Sequence, residues 1–579
     1  MTFTTADPDR LNLVMIQANP TVGDLGGNMR QMLAARRQHA SADLLIFTEC
    51  FLTGYPMQDM VALPHFIDNV ARAIDTLASH VRDHEGPAIL FGAPTAGADK
   101  PYNSAILIRP DGTRAVTHKQ ELPNNDVFDE MRNFARGEGK ALPLTLNAHW
   151  KLGVLICEDG WHAKVAEDLA GEGADFLISL NGSPARLGKI AVRQMHMQRR
   201  VADTGLPLIY TNQVGAQDEL IFDGVSFALD SDGTVTTRLK FMESDTATLS
   251  IARQQGQCHI ADCAHPVLPV AEDIELMYRA GVLGLRDYAQ KNNLHHGHLG
   301  LSGGADSALV AIMAADAMGP DWLKPVRLPS TLTGGDSMAL ADELARNIGC
   351  SLDTVAIAGP FAALMEATGH LPAQNDSAAA LAEENLAARL RMIVLTRNMN
   401  ATGGMLLGTS NKSEASIGYT TIYGDMAGQY NPIKDLYKSD VWDVMRWRNA
   451  NIPSDSRCPV AAPIPVAIID REPTAELKAG QTDQAVLGDY RQELDPLLKL
   501  MIEAHMDSEA ARRHLQKHNS TALEATYTSR IRDMIYAAEF KRRQACIGPQ
   551  IRPNSFGIAR RYPITNHYRE ERVTHEPQA

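Results

Sequence analysis

The N-terminal half of the chain alternates apolar stretches of strand length with stretches of helical period. The runs LNLVMIQ, PAILFGAP, SAILIRP and KLGVLICED predict strands, and NMRQMLAARRQHA predicts a helix. DLLIFTE, ADFLISLNGSP and LPLIYTNQVG predict further buried strands, and SFALDSDGTV predicts a hairpin around Asp-Gly. Continuous apolar runs that end in polar residues are typical of sheet strands covered by helices. The first half is therefore predicted to be an α/β domain.

The pattern changes near residue 254. The stretch from 254 to 271 contains Gln, Cys and Pro with weak periodicity, and it predicts a linker. After it, DIELMYRAGVLGLRDYAQKNN predicts an amphipathic helix, and HHGHLGLSGGADSALVAIMAADAMG predicts a strand, a glycine loop and a helix. The remainder reads as α/β and becomes mostly helical. We therefore expect two domains, residues 1–260 and 271–579.

Composition narrows the class of partner. The net charge of −14 argues against a broad surface for nucleic acid or anionic membranes. No apolar run reaches the length that crosses a bilayer, and the N-terminus lacks a basic start followed by an apolar core. Seven scattered cysteines suit a reducing compartment. We expect a cytoplasmic protein that acts on small molecules, with no nucleic-acid or membrane partner.

One segment, CHIADCAH, concentrates residues that can bind zinc: Cys258, His259, Cys263 and His265. Their spacing matches no common structural zinc pattern, and no second ligand pair lies nearby. The segment is therefore interpreted as part of the connection between domains rather than as a metal site.

The stretch LGLSGGADSALV, residues 299–310, is the sharpest motif of the second half. Two glycines after an apolar strand let the backbone turn tightly and approach a ligand. Asp306 and Ser307 then open a helix, whose free amides and dipole favour an anion. No Gly-Lys-Ser/Thr follows, so the loop is not that of the common phosphate-binding ATPases. An ordinary tight turn between strand and helix remains the alternative.

The sequence Ser-Gly-Gly-X-Asp-Ser resembles the pyrophosphate-binding loop of N-type ATP pyrophosphatases, which cleave ATP to AMP and pyrophosphate. The runs that follow extend the likeness: EENLAARLR at 383–391, LLGTSNKSEASIGYTTIYGDMAGQYNPIKDLYKSDVW at 406–442, EFKRRQA at 539–545 and the closing SFGIARRYPI. Without the loop, the basic residues would be read as solvated helix faces. Together these motifs resemble the synthetase domain of NAD synthetases across 271–565.

This resemblance implies a set of ligand-binding residues. ATP would be bound by Gly300, Leu301, Ser302, Gly303, Gly304, Ala305, Asp306, Ser307 and Thr409. Deamido-NAD would be bound by Asn385, Glu414 and Lys541, and Mg²⁺ by Asp306 and Glu414. One departure is Ala387, where the family often has Gln, and it bears on the local substrate contact.

The stretch GVLICEDGW places Cys157 directly after an apolar run. By itself such a cysteine is more often a small core residue than a nucleophile. Glu49, after DLLIFT, and Lys119, in THKQEL, also lie where predicted strands give way to loops, which is where α/β sheets present their chemistry. Each of the three also has an ordinary interpretation, as a loop carboxylate, a surface lysine or a structural thiol.

As an ordered Glu…Lys…Cys set, these residues resemble the nitrilase-type carbon–nitrogen hydrolases, over residues 10–260. The resemblance implies that Glu49 accepts the thiol proton, Cys157 attacks a glutamine amide and Lys119 helps stabilise the intermediate. It also implies that Asn125, Ser183 and Arg186 bind glutamine. Two departures bear on the glutamine pocket: Asn125 replaces a common Tyr, and Gly182 replaces a common Ala. The remaining cysteines considered are expected to be structural, namely Cys50, Cys350, Cys458 and Cys546.

The two halves explain each other, because an amidating domain needs ammonia and glutamine hydrolysis supplies it. The whole chain resembles the bacterial glutamine-dependent NAD synthetases. The implied fold is a nitrilase-like α/β/β/α sandwich plus a Rossmann-like parallel α/β domain with a helical C-terminal extension. The implied reaction turns deamido-NAD, ATP, glutamine and water into NAD, AMP, pyrophosphate and glutamate, with Mg²⁺ as cofactor. The resemblance also implies a homo-oligomer, which in this family is often a homo-octamer.

Three other functions remain open on the sequence. The same ATP loop serves enzymes that amidate other acceptors, such as a purine nucleotide. A chain that binds nucleotide for regulation and has lost glutaminase turnover is a second possibility, which the Asn125 change makes conceivable. A nitrilase with a scaffold domain is a third, and it predicts no dependence on ATP.

Overall fold

The computed structural model describes residues 7–369, 376–471, 487–518, 522–566 and 570 of the 579-residue chain. The chain divides into two compact units, Met1–Asp273 and Ile274–Ala579. Within the described residues, no helix is both long enough and apolar enough to cross a membrane.

The described residues of the first unit form fifteen strands and five α-helices. The strands are β1 (Arg10–Gln17), β2 (Leu44–Ile46), β3 (Ala88–Thr95), β4 (Tyr102–Ile108), β5 (Arg114–His118), β6 (Leu144–Thr145), β7 (Lys151–Ile156), β8 (Phe176–Asn181), β9 (Leu208–Asn212), β10 (Val214–Gln217), β11 (Leu220–Asp223), β12 (Phe227–Leu229), β13 (Val235–Arg238), β14 (Asp245–Gln254) and β15 (Gln257–Cys263). The helices are α1 (Leu25–Gln38), α2 (Pro64–Asp83), α3 (Glu130–Asn133), α4 (Ala163–Gly171) and α5 (Lys189–Thr204), with 3₁₀ turns at Gln58–Ala62 and Cys157–Trp161.

These strands form two main sheets that pack face to face. One sheet has the order β15-β14-β1-β2-β3-β4-β5 and the other β13-β12-β9-β8-β7-β6. Leu13 and Leu90 of the first sheet share one apolar core with Val154 and Ile178 of the second. Helices cover the outer faces: α2 packs on β3, and α4 and α5 pack on the second sheet. This is the expected α/β/β/α sandwich.

The chain departs from the predicted elements in two places. Strand β2 ends at Ile46, and a turn already begins at Glu49, whereas the sequence predicted a strand through Glu49. The predicted linker at 254–271 is wrong over residues 257–263, where β15 pairs antiparallel with β14 at the edge of the first sheet. Cys258 on that strand is buried in the core between the sheets, and this burial outweighs the weak periodicity of the segment.

The second unit is built around a smaller sheet. Its strands are β16 (Gly297–Gly300), β17 (Leu323–Arg327), β18 (Asp353–Thr354) and β19 (Met405–Leu406). Its described helices are α6 (Asp273–Lys291), α7 (Ala305–Met318), α8 (Gly335–Ile348), α9 (Ala358–Thr368), α10 (Asp376–Thr402), α11 (Lys412–Ile417), α12 (Lys438–Ala450), α13 (Val466–Asp470), α14 (Asp495–Leu498), α15 (Ser508–His518), α16 (Ala525–Ala537) and α17 (Glu539–Arg542). A 3₁₀ turn lies at Pro320–Trp322, and π-type turns flank α14.

All pairings in this sheet are parallel, in the order β18-β17-β16-β19. Helix α7, which follows β16, is apolar on all sides and buried almost throughout, as suits a helix that crosses over in a parallel sheet. A separate helical core unites Leu498, Leu515, Ile531 and Ile535 near the C-terminus. The expected Rossmann-like domain with a helical extension is therefore present.

Candidate active sites

A buried pair of charges lies at the end of the first sheet. Lys119 follows β5, and its Nζ atom lies 2.8 Å from Oε1 of Glu49. Both side chains are almost fully buried, at 1% and 0% exposure. Oε1 of Glu49 also accepts a hydrogen bond from Nδ2 of Asn103 at 2.8 Å, and Oε2 accepts one from the backbone N–H of Gly182 at 2.8 Å. Three donors thus fix both carboxylate oxygens.

A second carboxylate completes this cluster. Oε2 of Glu130 lies 2.8 Å from the same Lys119 ammonium, and the Tyr55 hydroxyl donates to Oε1 of Glu130 at 2.8 Å. Burial raises the pKa of Glu130 to about 7, although Lys119 opposes the shift. Burial also acts to lower the pKa of Lys119, but Glu130 and Glu49 outweigh it and hold that pKa well above its usual value. The lysine therefore remains an ammonium between two carboxyl groups.

Cys157 is the first residue of a 3₁₀ turn at the carboxyl end of β7. Its φ of +49° lies in the left-handed region, which a non-glycine residue adopts only when its surroundings enforce it. Asp159 enforces the turn: Oδ2 accepts from the N–H of Ile156 at 3.0 Å, while Oδ1 accepts from the N–H groups of Gln120 and Glu121. One buried carboxylate therefore ties the cysteine turn to the segment that follows Lys119.

The Cys157 thiol is buried, at 5% exposure, and burial together with the Glu49 charge holds its pKa well above the usual value. Glu49 and Lys119 both act electrostatically on this thiol, so the three predicted residues share one site. A thiol with a raised pKa needs a base to become a nucleophile. A carboxylate base, an ammonium and a thiol in one buried site provide acyl-transfer chemistry.

The three predicted glutamine-binding residues differ in their surroundings. Asn125 lies in an exposed turn. Its neighbour Asp126 forms an ion pair with Arg186, which joins that turn to the loop after β8. Ser183 is buried; its N–H donates to Oδ1 of Asn212 at 2.9 Å, and its hydroxyl accepts from Nε of Arg193 at 3.1 Å. Arg186 and Ser183 therefore already contact other residues of the protein.

Sequence reasoning did not single out Lys189. This residue begins α5, and its Nζ atom lies 5.7 Å from the ring centroid of Trp161 and 6.0 Å from that of Phe128. Burial lowers its pKa to about 8, with Arg193 and Arg186 adding to the shift and Cys157 opposing it. A cation held by aromatic faces near the thiol suits a ligand carboxylate. Its position three residues after Arg186 was the available signal.

The Gly182 departure has a local cause. A Cβ atom on Gly182 would lie 2.8 Å from Cδ1 of Tyr55 and 3.3 Å from Oε2 of Glu49. Because Tyr55 is anchored to Glu130, the ring has little freedom to retreat. Glycine therefore fits the cluster as it is built in this chain.

In the second unit, a cavity of about 460 Å³ opens at the carboxyl ends of β16, β17 and β19. Its lining includes every residue that the sequence assigned to nucleotide and metal binding, namely Gly300, Leu301, Ser302, Gly303, Gly304, Ala305, Asp306, Ser307, Asn385, Thr409, Glu414 and Lys541. The size is that of a small-molecule or cofactor site, and the place is where open parallel sheets bind ligands.

The glycine loop has the close approach that its sequence indicated. Gly303 has a φ of +82°, and a Cβ there would lie 2.2 Å from the carbonyl oxygen of Ser337. The Ser302 hydroxyl accepts from the N–H of Gly304 at 3.2 Å. The loop thus presents the N-terminus of α7 to the cavity, and Arg391, Lys438 and Lys541 in the lining add positive charge that suits a polyanionic ligand.

The two predicted metal ligands share one cation. The Lys438 ammonium forms an ion pair with Asp306 and lies 4.0 Å from Oε1 of Glu414. Nδ2 of Asn411 donates to Oδ1 of Asp306 at 3.0 Å, and Asn411 also caps α11, the helix that carries Glu414. Two carboxylates beside the glycine loop are an oxygen donor set that fits Mg²⁺. Sequence reasoning did not single out Lys438.

The part of the cavity around Asn385 and Lys541 is organised by hydrogen bonds. Oδ1 of Asn385 accepts from the Thr421 hydroxyl at 2.7 Å. Lys541 donates to the carbonyl groups of Gly418 and Thr420, both at 2.7 Å, and burial lowers its pKa. Burial raises the pKa of Asp425, which accepts from the N–H of Thr421 at 2.6 Å. These contacts shape the YGDM loop around the cavity.

Two further expectations concern residues outside the sites. Ala387, the departure in EENLAARLR, packs against the apolar cluster of Val326 and Leu395 rather than lining the cavity. In CHIADCAH, His259 contacts Ser231 and His265 contacts Asp245. Among the described residues, no group of three or more metal-binding side chains comes together.

Comparison with known proteins identifies the family of each unit. Residues 13–258 match the family described as carbon-nitrogen hydrolase, and residues 277–545 match the family described as NAD synthase. The glutamine-dependent NAD(+) synthetase of Rhodobacter capsulatus is 42% identical over 565 residues, which cover 97% of this chain and 100% of that protein. The protein of the same name from Xanthomonas campestris pv. campestris is 37% identical, over 96% of this chain and 98% of that protein.

A solved structure supports the same assignment along the whole chain. The glutamine-dependent NAD+ synthetase from Acinetobacter baumannii, in complex with adenosine diphosphate, is 30% identical, covers 96% of this chain and 99% of its own, and aligns with a TM-score of 0.72. The expected fold class and enzyme class are confirmed, and a purine-nucleotide amidating enzyme is disfavoured. The chain belongs to the family of glutamine-dependent NAD(+) synthetases.

Proposed function

We propose that the chain makes NAD from deamido-NAD with ATP and glutamine, releasing AMP, pyrophosphate and glutamate. One observation carries the proposal: the same chain holds a buried Glu49–Lys119 pair beside the Cys157 thiol and, in its other unit, a nucleotide-sized cavity on a glycine loop. The first site supplies ammonia and the second consumes it.

At the first site, Glu49 takes the proton of Cys157 as the sulfur attacks the amide carbon of glutamine. The Lys119 ammonium offsets the negative charge that develops on the amide oxygen. Glu49 returns the proton to the departing nitrogen, so that ammonia leaves and a glutamyl thioester forms. Water then releases glutamate with Glu49 again as base. Lys189 and Arg186 offer cations for the carboxylate of the substrate amino acid, beside Ser183 and Asn125.

At the second site, the carboxylate of the nicotinate ring attacks the α-phosphorus of ATP and displaces pyrophosphate. Amides of residues 300–307 and Thr409 hold the phosphates, while Asn385, Glu414 and Lys541 hold deamido-NAD. Ammonia then attacks the adenylated carboxyl group and displaces AMP. Asp306 and Glu414 would hold Mg²⁺, which offsets phosphate charge. Lys438 lies beside both carboxylates, and its ammonium can instead form an ion pair with a phosphate oxygen.

The test compares nitrogen donors. Wild type and Cys157→Ala are assayed for NAD formation from deamido-NAD and Mg-ATP with glutamine or ammonium, and AMP is measured against ADP. The proposal requires NAD and AMP from both donors in wild type. It also requires that Cys157→Ala lose only the glutamine route. Absence of NAD with either donor would show that the cavity serves another acceptor, and an unimpaired glutamine route in the variant would remove Cys157 from the mechanism.

We also propose a cytoplasmic homo-oligomer. All seven cysteines are free thiols, which suits a reducing compartment. Leu381 and Ile393 on α10 are more than half exposed, and subunit association would bury such side chains. Light scattering of the purified chain measures the assembly directly: a monomer at micromolar concentration would refute it, and an eightfold mass would match the octamer.

A further inference from the structure

Asn103 joins the catalytic carboxylate to a buried thiol that the proposed mechanism does not use. The asparagine lies on β4, is fully buried, and donates from Nδ2 to Oε1 of Glu49 at 2.8 Å. Its Oδ1 atom accepts from the Sγ–H group of Cys50 at 3.3 Å. Cys50 is also fully buried and directly follows Glu49 in the chain. The sequence suggested only a structural role for it.

Only one assignment of donors and acceptors is consistent along the hydrogen bonds from Cys50 through Asn103 to Glu49. An ionised carboxylate only accepts hydrogen bonds, so the amide NH₂ of Asn103 has to face Glu49. The opposite amide orientation would turn two acceptors toward each other. Burial, with the charge of Glu49, holds the pKa of Cys50 well above its usual value, so its sulfur keeps the proton that it donates. The thiol therefore selects the amide orientation that the carboxylate needs.

The backbone places Cys50 for this contact. Cys50 has a φ of +47°, and the turn that carries it lies against β3, where the N–H of Gly92 donates to the carbonyl of Thr48 at 3.0 Å. Consecutive residues of an extended strand point to opposite faces, which would separate Cys50 from Glu49. In the left-handed turn, both side chains instead reach the amide of Asn103. The left-handed turn thus lets Glu49 and Cys50 share Asn103 as a hydrogen-bond partner.

We propose that Asn103, oriented by the Cys50 thiol, is a positioning residue for Glu49 in glutamine hydrolysis. Lys119 binds the same Oε1 atom, so loss of Asn103 lets the carboxylate rotate toward the lysine and away from its aim at Cys157. This inference rests on the proposed glutaminase function. It concerns the rate of proton transfer from Cys157, and it leaves the synthetase unit untouched.

The experiment measures glutamate release from glutamine and, separately, NAD formation from ammonium in the full-length chain. Asn103→Leu removes one hydrogen bond to a charged group, for which we expect a loss of about 10- to 100-fold in glutaminase kcat/KM, mainly in kcat. Cys50→Ala removes only the orienting donor, and we expect about a 3- to 10-fold loss. Cys50→Ser keeps a donor and should restore most of that loss. The ammonium route should stay near the wild-type rate in all variants.

Two measurements separate positioning from a structural role. In the double variant Cys50→Ala/Asn103→Leu, the loss should equal that of Asn103→Leu alone, because the thiol acts through the amide. Asn103→Asp has nearly the same shape but donates only when protonated, so its glutaminase deficit should shrink as the pH falls. Cys258→Ala, a buried cysteine far along the same unit, is the matched control and should hydrolyse glutamine normally.

The outcomes are distinct. If wild type fails to hydrolyse glutamine, the proposed function itself is wrong. If wild type is active and Asn103→Leu retains full glutaminase kcat/KM, the inference is overturned. It is also overturned if the two substitutions add independently, if Cys50→Ser is as poor as Cys50→Ala, or if Asn103→Asp shows the wild-type pH profile at a uniformly lower rate. A melting temperature for each variant shows that the fold is intact at the assay temperature.

Discussion

A methyl group at Gly92 should disable glutamine hydrolysis without touching the synthetase. Gly92 lies on β3, directly beneath the turn that carries Glu49. A Cβ atom there would lie 2.1 Å from the backbone nitrogen of Cys50 and 2.8 Å from Cα of Glu49. Both contacts are to backbone, so no side-chain rotation relieves them. Gly92→Ala must therefore push the turn at Glu49 and Cys50 away from β3.

The size of that movement follows from the contact distances. Restoring an ordinary 3.4 Å separation in place of 2.1 Å moves the turn by about 1.3 Å. Catalytic groups lose about 100-fold in rate when misplaced by about 1 Å, so glutaminase kcat/KM should fall by about that factor. Overpacking of this kind also costs about 1–3 kcal/mol in the free energy of unfolding.

The assay is the initial rate of glutamate release, with ammonium-dependent NAD formation measured in parallel. Gly171→Ala, at the end of α4, is the matched control, because a Cβ there meets nothing within 4 Å. We expect the control to match wild type in both assays. If folded Gly92→Ala hydrolyses glutamine within about threefold of wild type, then the position of Glu49 does not limit the reaction, and the argument from the turn fails.

Three further predictions address other parts of the two sites. Lys189→Met should raise the KM for glutamine by about 10- to 100-fold with a smaller change in kcat, because the carboxylate of glutamine loses its cation. Equal losses in kcat and kcat/KM would contradict this prediction. Lys164→Met, at an exposed lysine of the same unit, is the control. Burial raises the pKa of Asp159 from 3.8 to about 6, so its contribution to stability is full below about pH 3.8 and is lost as the pH rises through about 6. In Asp159→Asn, the difference in unfolding free energy from wild type should therefore change by about 1–3 kcal/mol between pH 4 and 7 in denaturant titrations, and a constant difference would refute the shift. Lys438→Met leaves the two cavity carboxylates without their shared ammonium, so added Mg²⁺ should raise the melting temperature by a few degrees more than in wild type, and an equal rise in both proteins would show that the ammonium does not compete with the metal.

Local sequence patterns were sufficient for most elements of the fold. Apolar runs predicted strands β1, β3, β7 and β8, and the glycine loop with its following helix lies where LGLSGGADSALV indicated. The exceptions are segments whose conformation depends on distant partners. The edge strand β15 is held by pairing with β14, and its own periodicity is weak. The strand predicted through Glu49 ends early because the chain must turn over Gly92.

The candidate site residues also divide into those that local sequence marks and those that depend on distant partners. Glu49, Lys119 and Cys157 could be selected because each follows a predicted strand, and because their Glu…Lys…Cys order resembles that of the carbon–nitrogen hydrolases. Asn103 and Gly182, which fix the Glu49 carboxylate, lie 54 and 133 residues away from it in sequence. Nothing local marks such partners, because their role arises only when strands distant in sequence come together: Asn103 lies on β4 of the first sheet, and Gly182 follows β8 of the second. The assignments to glutamine, ATP, deamido-NAD and Mg²⁺ stay predictions that the assays above would test.

The raised pKa of the Cys157 thiol bears on how the protein endures oxidising conditions. Peroxides and disulfides attack thiolates far faster than thiols. Many cysteine nucleophiles rest as thiolates and are therefore exposed to such attack between turnovers. Here burial and the neighbouring Glu49 charge keep the sulfur protonated until substrate arrives. The same electrostatics that delay activation therefore protect the nucleophile, and the resting protein should withstand peroxide at concentrations that inactivate thiolate enzymes.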